Sequence, residues 1–337
     1  MTAPVSSTKR FAAWSGVPVL LGVLALFFLL HIAIGAKDLP LRQVVDAIFF
    51  PDPSVFEHRI IRDMRLPRAV MAIAVGSALA VAGALMQGVT RNPLAEPGLL
   101  GLMAGASFAV VIVSNTAGLA HLAVIPLVAA LGALGAAVLV FGIARFAPGG
   151  ATPLTLTLSG AAVSAFLGTC VSIGHLLNEE GFDDLRVWLT GTLAGRDIAV
   201  LYFAAPWLIG SLIVSLGLAR QVTALAMGDE VAKGLGVETG RLKLVTLALV
   251  VMLTACSVAL AGPMGFIGLV IPHAVRLFVG SDYRWIVPYS ALLGAAYLLG
   301  VDIFARIVIR PQELSTGIIT AMIGAPLFIY LVRQRSR

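Results

Sequence analysis

Charge is absent from this chain over long blocks. Runs without Asp, Glu, Lys or Arg cover 11–36, 69–90, 97–120, 122–144, 154–176, 198–219, 244–275, 285–301 and 314–332. A helical crossing of a bilayer core takes about 20 apolar residues. The run 244–275 is too long for one crossing and is interrupted by Gly262-Pro263-Met264-Gly265, so it divides in two. The pattern therefore predicts about ten transmembrane helices in an all-α, polytopic membrane protein, a single transmembrane unit over 1–337. The longest polar stretch, 37–68, is too short for an independent catalytic domain.

Composition agrees: 59% of the residues are hydrophobic and 12% charged, more apolar surface than a soluble chain of this length could hide. There is no G-x-x-x-x-G-K-[ST] phosphate loop, so the chain is not expected to hydrolyse ATP itself. The H-E-x-x-H and G-x-S-x-G patterns of zinc proteases and serine hydrolases are missing too. Cys170 and Cys256 fall in apolar spans and read as small buried residues, and His273 has no second ligand at metal-binding spacing. No carboxylate lies near the middle of a span, Asp302 being close to an end, whereas proton-coupled transporters carry such groups as relays. Energy must come from an ion gradient read by backbone oxygens or from another subunit. A gradient-driven secondary transporter and an ATP-driven assembly both remain open at this point, with a membrane scaffold or receptor as a third reading.

An even number of spans puts Lys9 and Arg10 on the same side as Arg333, Arg335 and Arg337, with an uncleaved first helix and both termini cytoplasmic. Thirteen of the 23 basic residues then face the cytoplasm, a weak bias. It is weak because Lys37, Arg42, Arg59, Arg62, Arg65 and Arg68 share the first external segment. Arg65 and Arg68 also flank Pro67 where the second span begins, and a cation at a helix N-terminus is opposed by the helix dipole. Either they meet lipid head groups or they dock an acidic partner. Arg306 and Arg310 form a second external basic pair, at a helix C-terminus where cations are favoured.

On the cytoplasmic side, 221–243 is the longest segment. Asp229 and Glu230 open a short helix, Gly234 or Gly236 can close it, and Val231 and Leu235 share a face. It is either a capped connecting loop or a knob fitting a motor subunit. Small residues at helical spacing (Gly76, Ala80, Gly83, Ala84; Gly101, Gly105; Gly132, Gly135) allow close helix approach. Gly262–Gly268 and Ile271-Pro272-His273 suggest broken or short helices.

Five motifs then occur in order: Arg65-Leu-Pro-Arg68, Asn92-Pro-Leu-Ala-Glu-Pro-Gly-Leu-Leu-Gly101, Gly228-x-x-x-Ala232-x-x-Leu235-Gly236, Ala261-Gly-Pro-Met-Gly-Phe-Ile-Gly-Leu-Val-Ile-Pro-His273 and Gly317-x-x-Thr320-Ala-x-x-Gly324-Ala-Pro326. Together they resemble the FecCD/BtuC-type permeases, membrane subunits of ABC importers for iron-siderophore complexes, haem and vitamin B12, from about residue 15 to the C-terminus. The resemblance implies a type II importer fold with an inverted pseudo-repeat, spans two to five against seven to ten. Only Ala80-Val-Ala-Gly-Ala-Leu-Met86 and Ala259-Leu-Ala-Gly-Pro-Met264 echo that repeat in the sequence. It further implies a dimer with a second copy or a paralogue, two cytoplasmic ATPase subunits that use ATP and Mg, an external substrate-binding protein, a bacterial inner-membrane location, and no cofactor or nucleic acid bound by this chain. In the family, the segment matching Gly228, Asp229, Glu230, Ala232, Leu235 and Gly236 contacts the ATPase. The positions matching Arg65, Arg68 and Arg306 receive glutamates of the binding protein, and the stretch around Trp188 and Gly191 resembles the gate. Ser315 stands where many relatives carry proline, and Arg310 is additional. The implied activity is inward transport of a ferric siderophore, with haem or cobalamin as alternatives.

Overall fold

Ala, Leu, Val and Gly fill Leu66–Thr90 on every side, and a helix apolar all round is either buried in protein or faces lipid; small residues on every side suit the first. In this computed structural model it is buried in protein: every residue from Val75 to Gly88 is buried, and the helix (α4) forms the axis of the molecule. The structure describes residues 7–35, 38–117, 124–148, 150, 152–176 and 187–335. The other helices are α1 (Ser7–Ala33), α2 (Leu41–Phe49), α3 (Phe56–Arg59), α5 (Leu102–Ala117), α6 (Ile125–Phe146), α7 (Pro153–Leu176), α8 (Ile198–Ala226), α9 (Asp229–Gly234), α10 (Thr239–Ala261), α11 (Ile267–Val279), α12 (Tyr283–Ile307) and α13 (Thr316–Arg335). Around α4 pack α8, α10, α11 and α12; α1 lies against α12, and α5, α6 and α7 form a second group joined through α10.

Among the described residues, seven helices are long and apolar enough to cross a membrane, and three shorter apolar ones complete the ten predicted runs. Two of the short ones follow chain breaks. After α4 ends at the left-handed Arg91, the chain turns back through Asn92–Pro97 and a single 3-10 turn, Gly98–Leu100, before α5 starts. After α10 ends, residues 262–266 are non-helical and α11 has only 13 residues, about 20 Å of a roughly 30 Å core. Its first turn lies against Gly83, so the helix break predicted from Gly262–Gly268 is present and is packed inside the bundle.

The approach of α11 to α4 requires glycine at position 83, where a Cβ would overlap the Gly268 backbone, while a Cβ on Gly268 would be a tight fit 3.0 Å from Leu79 O. The pairs Gly76–Gly294 and Gly105–Gly132 bring α4 to α12 and α5 to α6 in the same way. Gly135 differs from the expectation, since open space surrounds it.

The stretch 37–68 departs most from its reading as an external loop. Lys37 lies outside the described residues, and most of the rest is helical: α2, then α3 running through one π-helical stretch, Ile60–Arg65, directly into α4. Arg65 and Arg68 therefore lie within a continuous helical run that starts at Phe56, not at a free helix N-terminus. The conflict with the dipole expected from the sequence does not arise.

Candidate functional site

What Arg65 and Arg306 meet instead is the C-terminus of α1. The last carbonyls of a helix lack intrahelical donors and carry the negative end of its dipole. Arg65 Nη1 donates to Ile32 O at 2.7 Å and Ala33 O at 2.9 Å. Arg306 donates to Ile34 O at 3.0 Å and His31 O at 3.1 Å. Both side chains are buried, at 8% and 3% exposure, so two of the three expected docking arginines are internal caps.

Asp302, fully buried on α12, stands at the centre of this end. Arg68 grips it with Nε at 2.9 Å and Nη2 at 3.0 Å. Arg306 Nε lies at 3.2 Å, His31 Nε2 at 2.8 Å, and Thr316 Oγ1 donates at 2.7 Å. One carboxylate thus ties together α1, α4, α12 and α13, with the pairing a buried charge requires. The remaining arm of Arg68 donates to Glu313 at 2.7 Å. A cavity of about 310 Å³ opens beside this pair, lined by Arg65, Arg68, Arg196 and Arg306 with Asp63 and Glu313. Arg310 pairs with Asp38 at 2.9 and 3.1 Å, and its hydrogen bonds hold the Asp38 carboxyl below the usual carboxylate range.

Trp188 and Gly191 lie between three chain ends. Trp188 is buried, and Thr192 N–H donates to Ala261 O, the last residue of α10, at 2.8 Å. Gly317 N–H, in the first turn of α13, donates to Gly191 O at 2.8 Å. Gly191 has φ 73° and its Cα faces Pro263 and Gly317 so closely that only glycine fits. Ser315 uses its hydroxyl here, 2.6 Å from Thr190 Oγ1. The segment thus wedges the break after α10 against the start of α13.

The second break holds Glu96, in the turn between the second and third spans. Its carboxylate accepts the Phe266 N–H at the start of α11. Burial pushes the carboxyl up from 4.5 to about 7, with the Phe266 hydrogen bond working against it. The unfolded chain releases this proton first, so the Glu96 contribution to stability is complete below pH 4.5 and is lost as pH rises through about 7. The loss is about 3 kcal/mol. Thermal unfolding followed in detergent from about pH 5 to 8 should show a falling midpoint that flattens in Glu96→Gln. A Gln variant with the full wild-type slope assigns the titration to another group.

At the opposite end, Gly228 at φ 127° turns the chain into α9. Lys243 donates to Asp229 at 2.7 Å and holds its carboxyl below the usual range, and Arg91 lies 3.8 Å away. Asp229 thereby joins α9 to the start of α10 and the end of α4. Glu230 pairs only locally, with Lys233 at 3.2 Å. Ala232 faces inward and is fully buried, whereas Val231 is 43% and Leu235 66% exposed. Beyond Leu235 and Gly236 lies a cavity of about 830 Å³, lined among others by Arg220, Arg241 and Arg284. Nearby, Gln87 donates to Gly268 O at 3.0 Å and accepts from Arg276, which also donates to the Tyr283 hydroxyl at 3.0 Å.

The structure therefore groups Arg65, Arg68 and Arg306 at one end, Gly228–Gly236 at the other, and Trp188–Gly191 between helix breaks on the arginine side. Sequence reasoning missed His31, Glu96, Glu313 and Arg196. A histidine inside a charge-free run and a glutamate between two prolines were the visible signals.

The sequence profile of the FecCD transport family matches residues 23–334. The iron(3+)-hydroxamate import system permease protein FhuB of Bacillus subtilis (strain 168) is 44% identical over 96% of this chain and 85% of its own length. The ferric enterobactin transport system permease protein FepD of Escherichia coli (strain K12) is 39% identical over 100% of this chain and 99% of its own. The cobalamin import system permease protein BtuC of Halobacterium salinarum is 41% identical over 82% and 74%. A solved structure in an inward-facing conformation, assigned to the metal-chelate type of ABC transporter, superposes with a TM-score of 0.79 at 29% identity, covering 96% of this chain and 99% of that one.

Proposed function

Because the chain belongs to the FecCD transport family, we propose that it is the permease subunit of an ATP-driven importer that carries a ferric siderophore inward across a bacterial cytoplasmic membrane. The relatives named for hydroxamate-bound iron and for ferric enterobactin, both matched over nearly the whole chain, support that substrate over haem or cobalamin. Both termini then face the cytoplasm, the arginine end faces outward, and α9 faces inward. The expected partners are a second permease, identical or paralogous, two ATPase subunits using ATP and Mg, an external substrate-binding protein and the surrounding lipid. This chain itself binds no cofactor.

One observation carries the reading: α9 exposes Val231 and Leu235 while its Asp229 is tied to Lys243 on α10 and Arg91 beyond α4. A solvent-facing apolar knob bonded to two core helices is the handle an external motor needs. Pulling α9 shifts α10, whose far end holds the Thr192 N–H and so the segment around Trp188 and Gly191. This is a lever for alternating access between packed elements.

The test is Leu235→Asp together with Val231→Asp. Neither side chain supports the core, so the thermal midpoint should stay at the wild-type value. Leu235, 66% exposed, and Val231, 43% exposed, together lose about 2 kcal/mol of apolar burial at the motor contact, roughly thirtyfold in affinity, and the two carboxylates add a desolvation cost there. Purification of the full complex through a tag on this chain should therefore recover no P-loop ATPase with the variant. Stoichiometric ATPase with the doubly substituted chain would remove α9 from the interface.

A further inference from the structure

We infer that Glu313 is a resident carboxylate occupying the external arginine cavity, that a carboxylate from an acidic protein partner replaces it on docking, and that Arg196 completes the site. This rests on the reading of the arginine end as the docking face.

The cavity itself shows what it takes. Four arginines line it against Asp63 and Glu313, and Asp302 behind it neutralises one more charge, leaving a net excess of one cation. Arg68 spends Nε and Nη2 on Asp302, and only Nη1 reaches Glu313, by a single 2.7 Å contact. Glu313 comes from the segment between α12 and α13, and its side chain is 32% exposed. A one-armed, partly solvated pair is weak beside a two-armed, desolvated one. The site thus has steric room for a carboxylate and holds its present one loosely. Displacing Glu313 raises the excess to two cations, which an incoming acidic side chain satisfies.

Arg196 gives that exchange a destination. Its Nε donates to Thr192 O at 3.2 Å, and the Thr192 N–H donates to Ala261 O at 2.8 Å. An anion that draws Arg196 into the cavity acts on the residue that fastens the Trp188–Gly191 segment to the end of α10. Arg65 and Arg306 are held by the α1 carbonyls and Arg68 keeps two arms on Asp302, so an incoming carboxylate meets the Nη1 arm of Arg68 and Arg196 in the same cavity.

The experiment uses the full chain in phosphatidylcholine nanodiscs and fluorescent hexaglutamate as the probe, with hexalysine as control. Glu313→Gln should bind hexaglutamate about fivefold more tightly than wild type, the loss of one surface-pair competitor. Adding Arg196→Gln should abolish that gain. Glu313→Ala, which leaves no polar group behind, should behave as Glu313→Gln. Equal binding by wild type and both Glu313 variants overturns the displacement but leaves the docking face standing. No hexaglutamate binding by any of them overturns the docking reading as well. Competition by free glutamate at matched residue concentration overturns the protein partner and assigns the cavity to a small anion.

Discussion

Replacing Asp302 by Asn should lower the stability of the protein by about 3–5 kcal/mol, because a buried ion cluster loses its only central counter-charge. Asn matches Asp in shape, so no void opens and packing is unchanged. What changes is that Arg68 and Arg306, held at 2.9–3.2 Å, face a neutral amide in a site with no exposure. At about 2–4 °C per kcal/mol for a chain of this order of size, the midpoint of thermal unfolding should fall by about 10 °C. Asp38→Asn is the matched control, removing the same charge from the exposed pair with Arg310, and should leave the midpoint in place. Equal midpoints for Asp302→Asn and wild type would mean that the cluster does not hold the four helices together. Reversing Arg68 to Glu would break its contacts with Asp302, and reversing Arg65 would leave the α1 carbonyls uncapped, so either substitution reports folding before docking.

The second large effect is expected at Gly83→Val. Gly83 and Gly268 meet backbone to backbone, so a branched side chain has to push α11 away from the axis helix. Overpacking of this kind costs typically 1–3 kcal/mol, and with backbone rather than a flexible side chain in the way the upper end, about 3 kcal/mol, is expected. Differential scanning fluorimetry in detergent reads it, with Gly135→Ala as comparison. That position is open, and Ala is the better helix former by up to about 1 kcal/mol, so its midpoint should hold or rise. A Gly83→Val protein as stable as wild type would show that α11 can move away from α4 without loss.

The elements were legible because their cause is local. Charge-free runs gave the crossings, Gly262-Pro263 gave the helix break, and Gly228-Asp229-Glu230 gave the short helix on which Val231 and Leu235 lie exposed. The arginines were legible as chemistry but not as geometry. Arg65 caps carbonyls 32 and 33 residues away and Arg306 caps others more than 270 away, and a carbonyl leaves no mark in the sequence. The same holds for Glu96, whose partner is a backbone N–H 170 residues on. The π-helical stretch before Leu66 hid the helical continuity because Pro67 reads as a start signal.

The Asp302 cluster also sets a schedule for biogenesis. Arg68 enters with the second span, whereas Asp302 and Arg306 arrive together in the ninth, Asp302 234 residues after Arg68. At about 5–20 residues per second, the ribosome takes roughly 10–50 s to supply the missing anion. Throughout that interval the nascent chain carries an arginine without its Asp302 counter-ion, and a lipid head-group layer is the place where it can wait. The arginine end can close only when translation is nearly finished, so a product stopped before Asp302 lacks the anion that ties α1, α4, α12 and α13 together.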